Sequence, residues 1–134
     1  MAVIKSETLP VATEQDIVIV RQTVRKLAIE QGFSLVDQTK IVTAASELAR
    51  NTVIYGGGGT LVWELLLDGM RKGVRLTFQD QGPGIPNLEL ALTDGWTSGK
   101  GMGMGLSGSK RLVNDFEIQS EPGNGTRVMI ARWK

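Results

Sequence analysis

The sequence contains no cysteine and no histidine. Without cysteine there is no disulfide, no thiolate metal site and no sulfur nucleophile. Without histidine there is no Ser-His-Asp triad, no histidine zinc site and no histidine that could phosphorylate itself. An excess of one charge is missing too. Fifteen Lys and Arg stand against 14 Asp and Glu in 134 residues, a net charge of +1, which excludes the cationic footprint of a nucleic-acid binder. No apolar run approaches the roughly 20 residues that span a bilayer, and Met1 to Pro10 lack the apolar centre of a signal peptide. The expected address is cytoplasmic, with neither a nucleic acid nor a membrane as partner. Chemistry is left to carboxylates, amides, backbone N–H groups and a borrowed metal. The length fits one domain over residues 1–134 with a core of ordinary size.

What the chain has in plenty is glycine, 17 residues, most of them gathered into three stretches: Gly56 to Gly59, Gly82 to Gly108, and Gly123 with Gly125. Between them the apolar spacing sets out the elements. Val3 to Leu9 suits a first strand. Thr13 with Asp16 forms a capping box, and Ile17, Val20, Val24, Leu27 and Ala28 follow at helical spacing, with a stop at Gly32. Ser34 with Asp37 repeats the capping signal for a second helix running to about Tyr55. Thr60 to Asp68 and Val74 to Asp80 alternate as strands around a turn at Gly69 to Gly73. Gln81 to about Gly103 lacks periodicity and reads as a long loop, a class that is usually functional. A short helix over Leu106 to Val113 precedes a closing hairpin, Asp115 to Ser120 and Arg127 to Trp133. This order predicts an α/β two-layer sandwich, its mostly antiparallel sheet carrying helices on one face.

Four places carry candidate chemistry. On the second helix Glu47 and Asn51 stand at i and i+4, Asn51 within the apolar stripe of Ile41, Ala44, Leu48 and Tyr55 and Glu47 at its edge. An amide oxygen is a suitable hard ligand for magnesium beside phosphate oxygens, and a carboxylate one turn away can accept a hydroxyl proton; an ion-paired Glu and a capping Asn fit the same spacing. Asp80, with Gly82 and Gly84, closes the strand of Val74, Leu76 and Phe78. An Asp there can accept from an exocyclic amine while the glycines let a flat ring approach, or it can be a plain Asx turn. Lys100, Gly101, Gly103, Gly105 and Leu106 open the short helix, where exposed N–H groups suit phosphate and Lys100 could reach a terminal phosphate. The same stretch satisfies G-x-G-x-x-G at Gly103, Gly105 and Gly108, but no strand precedes it, so it is not the dinucleotide fingerprint. Last, Thr126 follows the Gly123-Asn124-Gly125 turn, where its hydroxyl could reach a ligand or a bridging water.

Each pattern alone is common; their order is not. Glu-x-x-x-Asn, Asp-x-Gly-x-Gly, a glycine-rich stretch and Gly-x-Gly-Thr together resemble the GHKL ATP-binding fold of gyrase, Hsp90, histidine kinases and MutL. The runs Glu14 to Val18, Ser46 to Asn51, Asp80 to Pro86, Asp94-Gly95-Trp96 and Gly103 to Leu106 are similar to the switch-protein serine kinases of the RsbT type, among the anti-sigma and switch-protein kinases. The resemblance implies ATP and Mg2+ as cofactors, Glu47 as general base, Asn51 as magnesium ligand and Asp80 on the adenine amine. It further implies Gly82 and Gly84 beside the ring, Gly101, Gly103 and Gly105 around the phosphates, and Thr126 at the adenine end. As partners it implies a STAS-domain antagonist protein as phosphate acceptor and a PP2C-type phosphatase bound after release. Anti-sigma relatives often carry a His shortly after the Asn; here Thr52-Val53-Ile54-Tyr55 follows, which favours the RsbT type. An ATP-dependent anti-sigma factor, a non-catalytic binding switch and a slow ATPase are the alternatives.

Overall fold

The first helix is set by its cap. In the computed structural model, which describes residues 1–85 and 104–134, the Thr13 hydroxyl accepts from the Asp16 N–H at 3.1 Å while Asp16 accepts from the Thr13 and Ala12 N–H groups. Two of the helix's orphan donors are thereby satisfied, and these bonds hold the Asp16 carboxyl below its ordinary pKa. Helix α1 (Glu14–Glu30) turns Val20, Val24, Leu27 and Ala28 inward. Gly32, at φ +79°, reverses the chain. Ser34 then caps α2 (Leu35–Ile54) by accepting from Asp37 N–H at 3.2 Å.

Strand β1 (Ala2–Val11) precedes α1, and β2 (Gly59–Asp68) and β3 (Arg71–Asp80) follow α2. Beyond the glycine-rich stretch come α3 (Met104–Arg111), β4 (Asp115–Ser120) and β5 (Thr126–Trp133). The five strands form one sheet in the order β1-β2-β3-β5-β4, every neighbour antiparallel. The expected fold class holds, and the expected elements are all present with shifted ends. The main difference is the β2–β3 turn: pairing runs on to Asp68 opposite Arg71, leaving only Gly69 and Met70 in the turn. Gly69 has φ +62°, as tight hairpins favour, and the polar pair Arg71-Lys72, which lacks the alternation of a strand, is drawn into β3 by its partner.

Alternation along the strands sorts the two faces of the sheet. Leu61, Trp63 and Leu65 of β2 stand opposite Phe78, Leu76 and Val74 of β3, and Phe78 and Leu76 in turn face Val128 and Ile130 of β5. These side chains join the inner faces of α1 and α2 in one buried cluster. On the outer face Arg75 makes a two-pronged ion pair with Glu64 directly across the ladder, at 2.7 and 3.0 Å. Gln31, buried after α1, spans the β2–β3 ladder by donating to the carbonyls of Leu66 and Gly73.

Arg132 ties three elements together. It donates to the Asp37 carboxylate at 2.6 Å and to the Leu112 carbonyl at 2.8 Å, joining β5 to the start of α2 and the end of α3. The Arg132 bond holds the Asp37 carboxyl below its ordinary range. A carboxyl depressed in the folded state stabilises the fold above its unfolded pKa of about 3.9 and loses that contribution as pH falls through the folded value. Asp37→Asn is therefore expected to melt below wild type at pH 7, with the gap closing at about pH 2. Thermal melts of both proteins from acid to neutral pH check this; a gap that stayed constant with pH would refute the linkage.

Candidate nucleotide site

The C-terminal half of α2 crosses the ends of β3 and β5, and a cavity opens between them. The space between them amounts to about 450 Å³, open solvent included. Helix α2 contributes Leu48, Asn51, Thr52 and Tyr55, and Gly56 lies just beyond it. The sheet contributes Phe78, Asp80, Thr126 and Val128; Gly84, Ile85 and Leu106 complete the wall. The lining is apolar with a few placed polar groups, the usual character of such sites.

Each polar group has a local cause. Asn51 replaces an apolar residue on the inward stripe of α2. Its Nδ2 is buried and has no hydrogen-bond partner among the described residues, an arrangement that suits a bound acceptor. Asp80 and Thr126 are side by side because they are paired residues of the β3–β5 ladder. Asp80 Oδ1 accepts from the Gly82 N–H at 2.9 Å and from the Thr126 N–H at 3.3 Å. That fixes the carboxylate and turns Oδ2 toward Gly56. Ser120 lies outside this lining and ties two of its residues together: its hydroxyl accepts from Ile85 N–H at 2.7 Å and lies 2.8 Å from Thr126 Oγ1 and 3.2 Å from the Gly125 carbonyl.

Of the residues singled out in the sequence, Asn51, Asp80, Gly84, Leu106 and Thr126 line this one cavity. Gly82 supports it from behind, where a Cβ would come within 2.8 Å of the Gly56 backbone. Gly105 belongs to the first turn of α3. Lys100, Gly101 and Gly103 lie outside the described residues, as does Trp96. Glu47 does not line the cavity: it is exposed, one helical turn before Asn51, and it borders a separate groove between α1 and α2 together with Ile17, Val18 and Arg50. Asn51, within the apolar stripe, thus faces the cavity, while Glu47, at the edge of the stripe, turns outward.

Residues 36–134 match the family described as histidine kinase-, DNA gyrase B-, and HSP90-like ATPase. The chain belongs to this ATPase family. Among curated members, the serine/threonine-protein kinase RsbT of Bacillus subtilis is 44% identical over 92% of both chains, in keeping with the RsbT-type resemblance. The anti-sigma F factor of Bacillus licheniformis is 30% identical over 90% of this chain and 86% of its own. Among solved structures, the RsbU and RsbW domains of a Mycobacterium tuberculosis protein superpose with a TM-score of 0.62 at 23% identity, covering 96% of this chain and 33% of that one. The mycobacterial sensor histidine kinase MprB gives 0.56 at 17% identity, covering 96% and 97%. These structures share the ATPase fold of the family.

The sequence reading missed Gly56 as a wall of the site, treating it only as the end of α2. Its φ is not left-handed; space alone demands glycine. A Cβ would lie 2.6 Å from the Asp80 Cβ and against its carboxyl group. Gly56→Ala is expected to displace Asp80 and weaken ATP binding about tenfold or more, while a side chain free to shift keeps the loss of stability to about 1–3 kcal/mol. Calorimetric titration and a thermal melt of the same sample check both; unchanged ATP affinity would show that the helix end does not position Asp80.

Proposed function

We propose that this chain is a serine/threonine protein kinase that transfers the γ-phosphate of Mg-ATP to a hydroxyl on a STAS-domain antagonist protein and, once released, binds a PP2C-type phosphatase. The observation that carries the reading is the polarity of the cavity. A buried amide nitrogen at Asn51, without a partner among the described residues, stands on α2, and a fixed carboxylate acceptor at Asp80 stands across the cavity on the sheet. An amine-bearing base fits the acceptor, and phosphate oxygens satisfy the amide. The similarity to RsbT and to anti-sigma F factors supports the same reading of substrate and partner.

The residues fit magnesium as well. Among the described residues no cluster of three acidic groups exists, so a single protein oxygen, that of Asn51, would hold the ion along with phosphates and waters, the usual way this cation is bound. When bound it would neutralise charge on the phosphates. The remaining work falls to the chain. Asp80 holds the base, the cavity wall excludes water from it, and Glu47, exposed beside the α1–α2 groove, takes the proton from the acceptor hydroxyl as its oxygen attacks the γ-phosphorus and ADP leaves. Phosphorylation would place a dianion in the contact surface and separate the two proteins. The decisive experiment incubates this chain, Mg-ATP and the STAS-domain protein encoded nearest to it, and follows labelled phosphate. Transfer to a Ser or Thr of the STAS protein is expected. Tight binding of both ATP and that protein without transfer would defeat the kinase reading and favour the ATP-dependent anti-sigma or binding-switch alternative, which the anti-sigma F relatives also support.

A further inference from the structure

The hydroxyl of Ser120 makes three contacts, two of them to the cavity-lining residues Ile85 and Thr126, and counting its donors and acceptors gives the direction of each. Ser120 Oγ has one proton and two lone pairs. One lone pair is taken by the Ile85 N–H at 2.7 Å. Two oxygens remain within reach: the carbonyl of buried Gly125 at 3.2 Å and Thr126 Oγ1 at 2.8 Å. The carbonyl can only accept, so the Ser120 proton goes there. The second lone pair of Ser120 is then free for the Thr126 proton. This arrangement closes three hydrogen bonds. The reverse arrangement closes only two, one hydrogen bond fewer.

The consequence falls on Thr126, which lines the cavity. With its proton held by Ser120, its oxygen presents only lone pairs to a ligand. Asp80 beside it on the ladder is likewise an acceptor. We infer that Ser120 is a specificity-determining positioning residue: by holding the Thr126 proton it makes this edge of the cavity accept only, which selects a 6-aminopurine nucleotide over a 6-oxopurine one. An amino group brings two N–H donors to two acceptors, whereas a carbonyl brings lone pairs against lone pairs. The inference rests on the reading of the cavity as a nucleotide site.

The test compares the dissociation constants of ATP and inosine triphosphate, which differ at this ring edge, by calorimetry on the full chain. Wild type is expected to prefer ATP strongly. In Ser120→Ala the Thr126 hydroxyl is free to turn and donate to a 6-oxo group, so the ratio of the two constants is expected to fall by about tenfold. Thr126→Val, which removes the oriented hydroxyl and keeps the shape, is expected to lower the ratio as well and serves if Ser120→Ala does not fold. A purely structural Ser120 would weaken both nucleotides together, so an unchanged ratio in either folded variant overturns the inference while leaving the nucleotide site intact. Wild type binding neither nucleotide would overturn the nucleotide reading itself, and this inference with it.

Discussion

Glu47→Gln is expected to lower phosphate transfer by about 10²- to 10⁴-fold, the range of a lost general base, and to leave the affinity for ATP within about twofold. The separation of the two effects follows from position. Glu47 is exposed and does not line the cavity, whereas Asn51, one turn later on the same helix, does. Neutralising Glu47 removes the proton acceptor without touching the walls that hold nucleotide. Because substitution of an exposed residue costs only about 0.5 kcal/mol or less, an unfolded variant cannot account for the loss. Single-turnover transfer and nucleotide titration on one preparation measure both quantities. If transfer persisted at the wild-type rate, the base would lie elsewhere and Glu47 would be a surface residue. If transfer and ATP affinity fell together, Glu47 would act through the nucleotide and not on the acceptor hydroxyl.

The split between Glu47 and Asn51 also shows how far the sequence could be read. Helical spacing placed the two residues a turn apart, and the apolar stripe placed Asn51 inward. It could not decide Glu47, because an edge position turns in or out according to how α1 packs on α2. The strands were legible from alternation, and Thr13-Asp16 from the chemistry of caps. The pairing of Asp80 with Thr126 was not legible at all. It depends on β5 entering the sheet between β3 and β4, a register set by contacts 46 residues apart in the chain. Gly56 was misread for a related reason: a glycine after a helix normally ends it, and nothing local says that a carboxyl group occupies the space its Cβ would need. Ser120 left no signal, being a lone polar residue at a strand end whose partners come from the loop after β3 and the turn after β4. Motif order carried the family across these gaps, since it records residues held together by the fold and not by the chain.

Asp80→Asn is the substitution that separates holding the loop from holding the ligand. In the folded protein Oδ1 does the structural work, accepting from the Gly82 and Thr126 N–H groups. An asparagine carbonyl can accept both bonds, so the loop and the ladder end keep their geometry and the thermal midpoint is expected to drop by only a few degrees, about 1 kcal/mol. Toward Gly56 and the cavity, where the carboxylate offers Oδ2, the variant offers an NH2 donor. An amine-bearing base then meets a donor in place of an acceptor, and one charge-assisted bond is replaced by an unmatched pair. ATP affinity is expected to fall about 100-fold or more, and affinity for inosine triphosphate to fall much less, because its 6-oxo group can accept from the new donor. Titration of both nucleotides against the variant measures this reversal. A variant that kept wild-type ATP affinity would show that Asp80 serves only the loop and that the base is held by other groups. Equal loss of both nucleotides would show that the carboxylate acts through charge alone. Selective loss of ATP would assign Asp80 the role of reading the amine, with Thr126 as the second acceptor on the same edge.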